Sequence, residues 1–329
     1  MLFAGSSRPS GRAPSSRCQP RLPLAGCRQY ASAHQRRRHP RGYPLAQHVE
    51  GSLSGGSGDL YWQGWLPADG ADVKGVVVLV HGLHEHSGRY AHVGERLAGD
   101  GYPAYAGDHA GHGRSGGVRG NIGRMAEVVS GVHALTRFAA DRHAGAPVFV
   151  LGHSMGGLIA LQYVTGSPAS LRGAILSAPA VDLSAASRAM RAAGRVLSVV
   201  APRLGVMALD ANLVSRDPAV VRDYETDPLN YRGKIRARTG AEMVAAAEAA
   251  PERVRSLRLP LLLLHGTADR LVPRAATTLI AERAGSPDLT VKLYDGLYHE
   301  VLNEPERDVV LSDILEWLDE RRNHGAPYA

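Results

Sequence analysis

Between residues 60 and 321 apolar and polar positions fall into two alternating patterns. Residues 60–66 alternate and carry Trp62 and Trp65, which predicts an early strand. Residues 76–80 are an unbroken aliphatic run, the pattern of a strand buried on both faces. Further strands are predicted at 102–106, 148–151, 173–176, 260–264 and 290–294. Helices are predicted at 90–99, 155–164, 275–284 and 308–321. A longer helix over 124–142 places Met125, Val128, Val129, Val132, Leu135 and Phe138 at helical spacing. Strands that alternate with helices imply right-handed βαβ units, hence an α/β fold with a mostly parallel sheet and helices on both faces. The alternation breaks between about 181 and 258, where no strong strand appears. We therefore expect a core from residues 50–180 and 259–329, interrupted by a helical cap at 181–258. An insertion there would lie over the carboxyl ends of the strands, where open α/β sheets hold their ligands.

Charge changes the picture only at one end. The chain of 329 residues carries 38 Lys+Arg against 31 Asp+Glu, a formal charge of +7. Nine of those basic residues, all arginine, lie in residues 1–49, which contain no acid. That leaves 29 basic residues against 31 acids in the rest, a net of −2. The body should therefore have no general affinity for nucleic acid. Residues 1–49, rich in Arg, Ser, Pro and Gly, read as a disordered tail, with an over-long assigned start as its simplest origin. Leu24-Ala25-Gly26-Cys27 resembles a lipoprotein cleavage box, but Arg17, Gln19 and Arg21 interrupt the stretch that should be apolar. Both cysteines, Cys18 and Cys27, lie in this tail, so the body rests on no disulfide and no cysteine-bound metal. The longest apolar run is too short to span a bilayer. The location expected is cytoplasmic, with a peripheral membrane contact as an added expectation.

The chemistry is concentrated in Gly152-His153-Ser154-Met155-Gly156-Gly157, a G-x-S-x-G motif between a predicted buried strand and a predicted helix. Such a turn lifts a serine hydroxyl above the sheet, and only small flanking residues fit it. It also sets the helix N-terminus, with its free N–H groups, beneath developing negative charge. A serine needs a base. For an elbow of this type the order is Ser, acid, His, and only His265, His299 and His324 follow Ser154. His299, in the loop after the last strand, is the expected base. Asp269, in the loop after strand 260–264, is the expected acid, ahead of Asp182 and Asp295. The oxyanion donors expected are the N–H groups of Met155 and of Leu83, the latter in the loop after strand 76–80. No cofactor is needed. The His84, His86, His92, Asp108, His109 and His112 group raises a metal-dependent hydrolase as a distant alternative, although its spacing fits no complete ligand set.

Together these residues resemble the monoacylglycerol lipase family of the α/β-hydrolase fold, in its bacterial form. The resemblance runs through His81-Gly82-x-x-Glu85-His86-Ser87-Gly88-Arg89-Tyr90, Asp108-His109-Ala110-Gly111-His112-Gly113-Arg114-Ser115, the elbow, Gly266-Thr267-Ala268-Asp269-Arg270-Leu271, and Tyr298-His299-Glu300. It implies hydrolysis of a monoacylglycerol ester to fatty acid and glycerol through an acyl-enzyme, with a small lipid as the partner molecule. It also implies a glycerol contact at Glu85, Arg89 and Tyr224. A general carboxylesterase or lysophospholipase is the alternative on the same machinery. The chain departs from animal relatives in having Leu302 and Val272 where they carry a second histidine and a reactive cysteine, so thiol reagents should not inhibit it.

In the cap, Met190, Ala193, Leu197 and Val200 share one helical face with Val196 beside them, and Arg188, Arg191 and Arg195 cluster opposite. A basic amphipathic helix of this kind can lie at a membrane surface. Packing of the same helix on its own domain is the competing expectation.

Overall fold

The computed structural model describes residues 47–55, 58–166, 171–182 and 187–323. Its strands and helices, in chain order, are β1 (Gln47–Gly55), β2 (Gly58–Leu66), β3 (Val76–Val80), α1 (Ala91–Gly99), β4 (Ala104–Gly107), α2 (Met125–Arg142), β5 (Val148–His153), α3 (Met155–Thr165), β6 (Leu171–Ser177), α4 (Arg188–Val200), β7 (Gly205–Met207), α5 (Pro218–Thr226), β8 (Ile235–Arg236), α6 (Ala237–Ser256), β9 (Leu261–Gly266), α7 (Ala275–Arg283), β10 (Leu289–Tyr294) and α8 (Arg307–Arg321).

Eight strands form one sheet in the order β1-β2-β4-β3-β5-β6-β9-β10. From β4 through β10 every pairing is parallel, and β1 and β2 add an antiparallel edge. The unbroken apolar runs are explained by burial on both sides. Val76, Val78 and Val80 face α2 and α3, whereas Val77 and Leu79 face α1 and α8. Leu261 and Leu263 divide from Leu262 and Leu264 in the same way. Neither face of β3 or β9 meets solvent, so these strands carry no polar stripe.

Two features depart from the sequence expectation. β1 was not foreseen, and it takes in Gln47–Val49, residues that composition assigned to the tail. Its Gly and Ser content hides a sparse apolar face, Val49 and Leu53, that packs against the core. β7 and β8 form a short antiparallel ladder within the stretch expected to hold no strong strand. They are held by pairing rather than by apolar pattern. The expected tail features at residues 1–46, including Cys18, Cys27 and the cleavage-box resemblance, lie outside the described residues, as does His324.

Between β6 and β9 the chain builds α4, β7, α5, β8 and α6. α6 packs on α3 of the core and α4 packs on α6. The orientation of α4 reverses the usual one. Arg191 and Arg195 both reach Glu248 of α6, at 3.4 and 2.6 Å. The apolar side points outward, with Met190, Val196, Val199 and Val200 each at least 59 % exposed. Leu204, Val206 and Met207 prolong that outward apolar surface. Thus α4 packs on its own domain, as one expectation held, but along the side of Arg191 and Ser198.

Candidate active site

Ser154 stands between β5 and α3 at φ 56°, ψ −118°, a strained conformation for a residue with a side chain. Its backbone is fixed at both ends, since its N–H donates to the carbonyl of Ser177 (2.9 Å) and its carbonyl accepts from Ala180 (3.1 Å). The flanking glycines are a packing requirement. A Cβ at Gly152 would meet the Gly156 carbonyl oxygen at 2.3 Å, and one at Gly156 would meet that of Val80 at 2.0 Å. Met155 opens α3, where the first amides have no acceptor within the helix.

His299 and Asp269 come from the loops after β10 and β9. Their side chains meet with Nδ1 2.7 Å from Oδ2, which leaves Nε2 of His299 outside that bond. Asp269 is held from several directions. Its Oδ1 accepts the N–H groups of Leu271 and Val272 at 2.8 and 3.0 Å, and Oδ2 lies 3.2 Å from Nε2 of His265. Burial works to raise its pKa, but the hydrogen bonds from His265 and His299 outweigh that and hold the carboxyl below the usual range. Asp295 accepts from Thr267 Oγ1 at 3.0 Å. His265 buttresses Asp269, with Nδ1 on Thr277 Oγ1 at 2.7 Å.

The loop carrying Leu83 is also over-determined. His81 Nδ1 donates to the Gly82 carbonyl (2.8 Å), and its Nε2 accepts the N–H of His109 (3.0 Å). Gly82 N–H donates to Glu85 Oε1 at 2.6 Å, and His84 takes φ 66°. The insertion grips the same loop. Tyr231 N–H donates to the His84 carbonyl (2.9 Å), and His86 Nε2 bonds Asp227 Oδ2 (2.9 Å). Burial, reinforced by neighbouring histidines, lowers the pKa of His81, and burial lowers those of His84, His109, His112 and His153 to between about 3 and about 4. These rings are therefore neutral at ordinary pH. Among the described residues no group of three or more His, Cys, Asp or Glu is placed to hold a metal ion.

Glu85, Arg89 and Tyr224 lie together, with the Arg89 guanidinium 4.9 Å from the Tyr224 ring centroid. Glu85 and Arg89 are buried, and each is already bonded. Glu85 accepts from Tyr90 Oη (2.7 Å) and Arg89 (2.8 Å), and Arg89 forks onto Glu300 with two bonds of 2.7 Å. Sequence reasoning assigned no role to Glu300. The available signal was a charged residue placed directly after the base in a loop that otherwise turns inward.

A parallel sheet with a serine elbow, an Asp–His pair on the last two βα loops and a helical insertion defines an α/β-hydrolase. Residues 71–306 match the family described as "Serine aminopeptidase, S33", and the chain belongs to it. It is similar to a monoacylglycerol lipase of Mycolicibacterium smegmatis, 43% identical over 77% of this chain and 90% of that one. It is also similar to the human monoglyceride lipase, 34% identical over 80% of this chain and 87% of that one. Among solved structures, a monoacylglycerol lipase of Paleococcus ferrophilus superposes with a TM-score of 0.72, at 32% identity, over 80% of this chain and 99% of that one.

Proposed function

We propose that this chain hydrolyses monoacylglycerols to fatty acid and glycerol, with Ser154 as nucleophile, His299 as base and Asp269 as the acid that orients it. The observation that carries the reading is the 2.7 Å His299–Asp269 bond in a chain whose elbow serine is held at φ 56°. The names of its relatives supply the substrate class. In the first step His299 Nε2 takes the Ser154 proton as Oγ attacks the ester carbonyl. The N–H groups of Leu83 and Met155 stabilise the oxyanion. His299 then returns the proton to the leaving glycerol oxygen. Water, deprotonated by His299, attacks the acyl-enzyme, and His299 passes that proton to Ser154 Oγ as the fatty acid leaves. We place the glycerol head at Tyr224, with Glu85 and Arg89 behind it.

Residues 181–258 serve in this reading as the cap. Its outward apolar surface at α4 and β7 supports peripheral contact with a lipid layer, and among the described residues no helix is long and apolar enough to cross a membrane. The deciding experiment compares turnover of a monoacylglycerol with that of di- and triacylglycerols, a lysophospholipid and an aminoacyl-peptide. The monoacylglycerol should be fastest. Preference for the lysophospholipid or the peptide would replace the substrate assignment and leave the triad in place.

A further inference from the structure

We propose that the buried Arg89–Glu300 fork is a positioning clamp that locks the loop of the base His299 to the loop of the oxyanion donor Leu83. The proposal rests on the roles given above to Ser154, His299 and Leu83.

The two loops come from distant parts of the chain, after β10 and after β3. A continuous series of short bonds joins them. Glu300 follows His299 directly. Its carboxylate takes both arms of the Arg89 guanidinium at 2.7 Å. Arg89 Nη1 also reaches Glu85 Oε2 at 2.8 Å, and Glu85 Oε1 receives the Gly82 N–H at 2.6 Å, one residue before Leu83. The side chains of Arg89, Glu300 and Glu85 are 9 %, 5 % and 3 % exposed. A bidentate guanidinium–carboxylate pair fixes angle as well as distance, and with so little water nearby, few other partners compete.

Glu300 is itself fixed from other sides. Asn303 Nδ2 donates to its Oε2 at 2.8 Å, and its own N–H donates to the Val214 carbonyl at 2.8 Å. The hydrogen-bonding capacity used here faces other protein groups rather than an open cleft. Such a pair acts on where His299 and Leu83 sit relative to Ser154, and about 1 Å of misplacement in a catalytic group can cost about 100-fold. It acts on both acylation and deacylation, because base and oxyanion donor serve both.

The test uses Glu300→Gln, Arg89→Gln and the double variant. Each is assayed on a monoacylglycerol, on the p-nitrophenyl ester of the same acyl chain, and for the rate at which a fluorophosphonate labels Ser154. A clamp predicts that kcat falls about 10- to 100-fold on both esters. KM should stay within about twofold, labelling should slow in parallel, and the double variant should be no worse than the poorer single one. Glu300→Asp should recover part of the loss. A loss confined to the monoacylglycerol, with KM raised and labelling unchanged, would overturn the clamp in favour of a direct glycerol contact. A lowered melting temperature with wild-type kcat would overturn it in favour of a purely structural role. If Glu300→Gln does not fold, Asn303→Ala loosens the same carboxylate and should show a smaller fall of the same kind. Unchanged kcat there would also overturn the clamp. Failure of the parent reading looks different, because wild-type Ser154 would then resist the phosphonate altogether.

Discussion

α3 and α4 are both rich in apolar residues, and the structure treats them in opposite ways. α3 has no charged side chain, and every residue from Met155 to Val164 is buried, under β5 and β6 on one side and α6 on another. α4 is covered only along the side of Arg191 and Ser198, and most of its remaining surface, apolar residues included, is exposed. An apolar face identifies a surface that water disfavours, but it does not say what covers it. In α3 the sheet does. In α4 none of the described residues does, and that contrast makes the outer cap a candidate contact surface.

The largest break in the comparison is at the head of α3. Ser154→Ala should lower turnover by about 10⁶-fold, because the triad acts as a unit, and circular dichroism should show the fold retained. Substantial residual turnover would remove Ser154 from the mechanism. Next, Leu158→Ala in the middle of α3 should cost about 2–5 kcal/mol in denaturant unfolding, the range for a large-to-small change in a closed core.

Acid should strain the α3 end of the molecule through its buried histidines. His81, His84, His109, His112 and His153 have folded-state pKa values depressed below the ordinary 6.5. Below pH 6.5 the unfolded chain takes up protons that the folded one refuses until about pH 4 or lower. Stability present above pH 6.5 is therefore lost as pH falls, with unfolding near pH 5 coupled to uptake of several protons. The slope of unfolding free energy against pH measures that number, and a flat profile between pH 5 and 6.5 would contradict it. The smallest effect on stability should come from α4. Val199→Ser with Val200→Ser should change unfolding by no more than about 0.5 kcal/mol, yet abolish flotation with phosphatidylcholine vesicles. Flotation unchanged by the pair would remove the outer cap as a lipid contact.

Much of the site was legible because its chemistry constrains local sequence. A nucleophile on a strand-to-helix turn needs glycines at fixed offsets, and Gly152 and Gly156 show why, with carbonyl oxygens where a Cβ would go. The parallel strands were legible because burial on both faces leaves unbroken aliphatic runs. β1 was not legible, since an edge strand with one covered face can carry Gly or Ser at four of its nine positions. The part played by Glu300 was hidden for a different reason. Its meaning depends on Arg89, 211 residues away, and no local pattern encodes that pairing.

The inward turn of Arg191 and Arg195 has a consequence for how the cap would hold a lipid layer. With both guanidinium groups drawn to Glu248, the outward side of α4 offers hydrocarbon at Val196, Val199 and Val200. Adhesion through such a surface would depend mainly on apolar area, with the exposed Arg188 and Arg195 alongside adding a preference for anionic bilayers that fades as ionic strength rises.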